Sequence, residues 1–78
     1  MIAMQLTRWF PWHVKPVYTG VYIVERRDGF KGIRIYSYWD GSTWNDTSNS
    51  REGAWLHRYY YPSTEQRRAW RGLEYVGE

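Results

Sequence analysis

The sequence predicts a small α+β domain: an antiparallel β-meander of three to four strands with an extended N-terminal arm and a short C-terminal helix. Three observations carry that class. Pro11 and Pro16 bar helix from the aromatic stretch 9–18. Two β-branched and aromatic runs end in the turn signals Arg27-Asp28-Gly29 and Asp40-Gly41. A capping box, Ser63-Thr64-Glu65-Gln66, opens a short segment that Gly72 closes.

Taken in order, residues 1–8 attach loosely, and 9–18 form an arm whose Trp9 and Trp12 clamp onto the domain. The first strand covers 19–26 and the second 33–39. Asp40-Gly41 then makes a two-residue hairpin turn with positive φ at both positions, leading into a third strand over 42–46. That turn sets Trp39 opposite Ser42, Tyr38 opposite Thr43 and Ser37 opposite Trp44. One face therefore carries Ile33, Ile35, Trp39 and Trp44 as core, and the other Arg34, Tyr36 and Tyr38. The run 54–61 is ambiguous. Tyr59-Tyr60-Tyr61 favours a strand, whereas Trp55, Leu56 and Tyr59 also fit one helical face. It is read as a fourth strand. The capping box then starts a helix over 63–71, too short to stand alone in water, which Trp70 pins to the sheet with Leu73 behind it.

Composition narrows the function. Seventy-eight residues hold one domain, and none of the 78 is Cys, which excludes a disulfide framework, a zinc-thiolate site and a thiol nucleophile. No stretch reaches the roughly 18 apolar residues of a membrane span, and the N-terminus lacks the pattern of a secretory signal. The expected location is the cytoplasm. Ile, Leu, Val and Phe supply only 14 residues, so most of the 16 aromatics must be core. Trp39, Trp44 and Trp70 are expected at its centre, with Gly41 required for its backbone conformation. The formal charge is +3, spread without a run of like sign, and nine of the 11 cations are Arg, the cation that stacks on aromatic rings.

The motifs Trp9-Phe10-Pro11, Lys15-Pro16-Val17, Gly20-Val21-Tyr22, Tyr38-Trp39-Asp40-Gly41-x-x-Trp44 and Trp70-Arg71-Gly72-Leu73 stand in this order along the chain. In that order they resemble a family of small bacterial and phage proteins of unknown function, over residues 9–73. Trp12 and Thr19 depart from the family pattern, where a small residue and a proline are usual. The resemblance implies a cytoplasmic protein in a phage or prophage setting and brings no activity.

Catalytic, metal and cofactor chemistry find no motif. His13 and His57 are the only imidazoles and cannot make a zinc site without further close ligands. Ser37 and Ser63 lack a nucleophile elbow, Asp28-Gly29-Phe30-Lys31-Gly32 lacks the helix of a phosphate loop, and Asp40 and Glu25 lack a deep cleft. The expectation is a non-enzymatic accessory protein, most simply a protein-interaction module, as monomer or homodimer. The alternative is a single-strand nucleic-acid binder that uses Tyr22, Arg34, Tyr36 and Tyr38 as a stacking face. If the arm or the helix covers that face, its tyrosines are core. Sugar rings are a third ligand that aromatic plates could hold.

Overall fold

The computed structural model describes residues 2–26, 33–59 and 62–77. Its element order is β1 (Ile2–Leu6), β2 (Gly20–Val24), β3 (Ile35–Trp39), α1 (Arg51–Leu56), β4 (Trp70–Arg71) and β5 (Leu73–Gly77), with a 3-10 turn at His57–Tyr59 after α1. This is the α+β class expected, with a three-stranded antiparallel sheet of order β3-β2-β4 and one short helix. The β2–β3 pairing sets Tyr22 opposite Ser37 and Val24 opposite Ile35. The expected turn at 27–29 lies outside the described residues.

Backbone pairing continues past the named strands and covers both sheet edges. On one side Trp44 bridges Trp39 and Ser48 bridges Tyr36, while Pro62 in turn bridges Asn45. On the other, Phe10 exchanges both backbone bonds with Trp70, at 2.7 and 3.0 Å. Beyond Phe10, β1 pairs antiparallel with β5 from Leu6–Leu73 to Ile2–Gly77. Covered edges leave no ready template for stray strand addition at β3 or β4.

The core is aromatic, as the shortage of aliphatic residues requires. Trp39, Trp44 and Trp70 are buried with Val24 and Ile35, and Phe10 and Tyr22 pack against them. Trp44 lies at the centre, with ring centroids 5.0 Å from Trp39, 5.9 Å from Tyr22 and 6.4 Å from Trp70. Phe10 stacks on Trp70 at 4.6 Å. Tilted and edge-on rings are the geometry that aromatic quadrupoles favour.

Four local expectations are corrected. The segment 63–71 is not a helix. The Gln66 side chain reaches back only as far as Ser63 O, and its other bonds go to the backbone of Trp44. Glu65 accepts from the N–H of Arg67, a local bond that competes with helical turns. An eight-residue helix is marginal in water, and Trp70 and Arg71 gain strand bonds to β2 instead. Trp70 is therefore a sheet residue, and Gly72 lies between strands.

The helix sits at 51–56, in place of the expected strand over 54–61. Ser50 caps it, its hydroxyl accepting from Gly53 N–H at 2.9 Å, and Ala54 is its one buried residue. Tyr60 and Tyr61 lie outside the described residues.

The third strand is reduced to the bridges at Trp44 and Asn45, and its register is shifted. Trp39 faces Trp44, and Asp40 N–H donates to Thr43 O. The loop holds Asp40 to Thr43, because the Asp40 carboxylate takes the N–H groups of Ser42 and Thr43, both at 2.8 Å. Among the described residues only glycines have positive φ, so Gly41 at +101° carries the turn without Asp40. Last, Ile33 precedes β3 and is 54% exposed rather than core.

Candidate functional site

The sheet register decides what became of the expected stacking face. Directly paired residues share a face. Tyr22 pairs Ser37 and so lies on the core side, opposite to Tyr36 and Tyr38. Its ring meets Trp70 edge-on at 5.1 Å, its hydroxyl donates to Tyr18 O, and burial pushes its pKa above the ordinary tyrosine value. Tyr36 and Tyr38 share the other face, where α1 lies over them. Arg51 sits 5.1 Å above Tyr36, and Trp55 meets Tyr38 edge-on at 5.7 Å. Arg34 is exposed at the far end, before β3 begins. The four residues therefore do not form one platform.

What the fold assembles instead is a groove of about 560 Å³ between the start of β3, the end of β2 and the arm. Ile23, Ile33 and Trp9 supply its apolar surface, and Glu25, Arg26 and Arg34 its charged rim. Trp9 and Ile33 are large apolar residues left 45% and 54% exposed. Trp9 is held in place by Arg71, whose guanidinium lies 5.2 Å from the ring centre while its Nε and Nη2 donate to Thr7 O. Arg34 is the one residue of the expected site that this groove retains.

A second surface lies along the arm. Trp12 is 42% exposed, with Lys15 Nζ 5.7 Å and the Arg67 guanidinium 5.1 Å from its ring centre. Lys15 also stands 5.7 Å from Trp39, and His13 meets Trp12 edge-on at 5.6 Å. Phe10 is covered by Arg8 at 4.8 Å. The Arg excess in the composition is thus realised as cations laid on aromatic rings, each a contact of roughly 0.5–1 kcal/mol at an exposed site.

The remaining polar candidates are structural. The Ser37 hydroxyl is buried and donates to Asn45 O, and Ser63 Oγ accepts from Glu65 N–H. Asp40 closes its own loop. Partial burial raises its pKa, but the bonds from Thr43 and Ser42 outweigh this and hold the carboxyl below its ordinary value. Among the described residues no three His, Asp or Glu side chains gather as a metal site, and no helix is long and apolar enough to cross a membrane.

Neither protein-family models, curated proteins nor solved structures give a match to this chain. Sequence reasoning missed Trp9 and Ile33 as a pair. Their 24-residue separation hides the groove they both line, and Ile33 fits a core position on strand alternation alone.

Proposed function

We propose that the chain is a non-enzymatic interaction module, and that the groove beside Trp9 and Ile33 receives an apolar side chain of a protein partner. The observation that supports this reading is the groove itself: two half-exposed large apolar residues with Arg26 and Arg34 at the rim. Tryptophan and arginine around a concave apolar centre are the residues that dominate protein interfaces, where single truncations cost about 2 kcal/mol or more. Arg71 fixes the Trp9 ring in advance, so little rotamer freedom is lost on binding. The resemblance of its motif order to small bacterial and phage proteins supports the further proposal that the module works in a cytoplasmic phage or prophage complex.

A photo-reactive residue placed at position 33 tests the reading in the producing cell. One protein should be crosslinked. Its purified form should bind the wild-type chain and lose at least about thirtyfold in affinity to Trp9→Ala, the equivalent of 2 kcal/mol. Absence of a crosslink, or binding that survives Trp9→Ala, overturns the proposal.

A further inference from the structure

The outer edges of β3 and β4 are covered by neighbouring chain, but those of β1 and β5 are not. These two strands form a two-stranded sheet with no further strand beside it among the described residues. Among the named elements they pack chiefly on each other. A two-stranded ribbon is marginal in water by itself, and three or more strands are needed for an independently stable sheet.

The register shows which backbone groups of β1 stay open. Thr7 N–H donates to Gly72 O at 2.8 Å, continuing the ladder in which Leu6 faces Leu73 and Ile2 faces Gly77. Bonded and non-bonded pairs alternate along an antiparallel ladder. Ala3 and Gln5 therefore bond β5, while Ile2, Met4 and Leu6 direct their N–H and C=O groups to the outer edge. That edge, Ile2-Ala3-Met4-Gln5-Leu6, contains no charge and no proline, the residues that ordinarily guard an exposed strand. β5 carries Glu74 and ends in Gly77, which makes it the poorer template of the two.

We propose that two copies of this chain pair antiparallel through the outer edges of β1, about a two-fold axis at Met4, into a four-stranded sheet of order β5-β1-β1-β5. A two-fold interface must be self-complementary, and β1 fits itself in this register. Ile2 stands opposite Leu6 of the second copy and Met4 opposite Met4 of the second copy, and these are the residues whose backbone groups are open. Ala3 stands opposite Gln5 of the second copy in the non-bonded positions, so no like charges meet. Because paired residues share a face, Ile2, Met4 and Leu6 of both copies line up with Leu73 and Tyr75 as one apolar strip across the sheet. A foreign strand could take the same backbone bonds, but the match of β1 to itself favours a second copy. The surface shares no residue with the groove at Trp9 and Ile33 and stands independently of the protein-partner reading.

Sedimentation equilibrium of the full-length chain should show a dimer with a Kd below about 10⁻⁴ M. Met4→Lys and Met4→Glu each set like charges opposite one another at the axis, and each should weaken association about tenfold or more. An equimolar mixture of the two variants should regain it as a heterodimer, which a merely misfolded variant would not do. Met4→Cys is a second probe that leaves the strand uncharged, since the chain has no other Cys. Cα atoms of a bonded antiparallel pair lie about 5.5 Å apart, within reach of a disulfide. This variant should crosslink on mild oxidation, and faster than Val17→Cys at an exposed position of the arm. If the charged variants fail to fold, the comparison of the two Cys variants decides. A wild-type chain that stays monomeric at about 10⁻⁴ M overturns the proposal and leaves the edge to a foreign strand. So does association that both charge variants leave unchanged, a mixture of folded charge variants that fails to recover it, or Met4→Cys crosslinking no faster than Val17→Cys.

Discussion

At the scale of single residues, Trp44 carries the most. It is fully buried against Trp39, Tyr22 and Trp70, yet its indole Nε1 has no hydrogen-bond partner among the described residues. An orphaned buried donor costs about 1–3 kcal/mol. Trp44→Ala should therefore destabilise by about 3–5 kcal/mol through the cavity it leaves. Trp44→Phe should cost clearly less, because it removes the orphan donor along with part of the ring. Urea midpoints of the two variants check the order, and a Phe variant as weak as the Ala one refutes it.

Two glycines separate strain from crowding in the same way. A Cβ at Gly72 would stand 2.9 Å from the Tyr22 ring carbons, so Gly72→Ala should lose about 1–3 kcal/mol by overpacking. At Gly41 the nearest atom is an ordinary 3.7 Å away, and Gly41→Ala should lose about 1–2 kcal/mol through its φ of +101° alone. Thr19→Ala, which removes that neighbour, should leave the Gly41→Ala penalty unchanged and so confirm a backbone cause.

Asp40 makes a residue-scale contribution that depends on pH. Its folded pKa lies below the unfolded one, since the bonds from Thr43 and Ser42 outweigh the burial that raises it. Its stabilisation is then present above the unfolded pKa and disappears as pH falls through the folded one. Asp40→Asn should lower stability at neutral pH and flatten the acid limb of a stability–pH curve. An unchanged acid limb counts against the carboxylate's role in closing the loop.

At the scale of elements, Gln66 does what a strand would otherwise do. Its Oε1 accepts from Trp44 N–H at 2.7 Å, and its Nε2 donates to the carbonyls of Trp44 and Ser63 at 2.8 and 2.7 Å. One amide thus satisfies the edge of the Trp44 bridge. Gln66→Glu keeps the shape and removes the donor. An ionised carboxylate would face two carbonyl oxygens, so its folded pKa must rise above the unfolded value. Stability of this variant should be greatest below the unfolded glutamate pKa and should fall as pH rises through the folded one. Thermal melts of wild type and variant across that range check the sign. A difference that grows toward acid pH contradicts the assignment.

At the scale of the molecule, the arm is part of the core rather than an appendage to it. Phe10 stacks on Trp70 and closes the open edge of β4 with two backbone bonds, and Trp70 Nε1 donates to Val14 O. Removing residues 1–19 exposes the Trp70 ring, a strand edge and an indole donor together. Loss of a cooperative unfolding transition is the expected result, seen by tryptophan emission in a urea titration. A truncated chain that melts with wild-type cooperativity would show the arm to be dispensable.

The α+β class, β2 and β3, and the aromatic make-up of the core follow from local chemistry. β-branched runs, proline-barred stretches and a shortage of aliphatic side chains act within a few residues, and so they can be seen in the chain. The place of the helix could not be seen with the same ease. Ser50 and Ala54 are a cap and a strong helix former, but the tyrosines after them have strand propensity. The capping-box pattern at Ser63 pointed to a helix whose Gln66 in fact bonds the backbone of Trp44, 22 residues away. The candidate surfaces were decided by tertiary structure alone. Strand register put Tyr22 into the core and separated it from Tyr36 and Tyr38. The Phe10–Trp70 pairing joined segments about 60 residues apart in the chain and closed the edge of β4. Register and long-range pairing depend on how distant side chains fill one shared core, and no local pattern of residues encodes that.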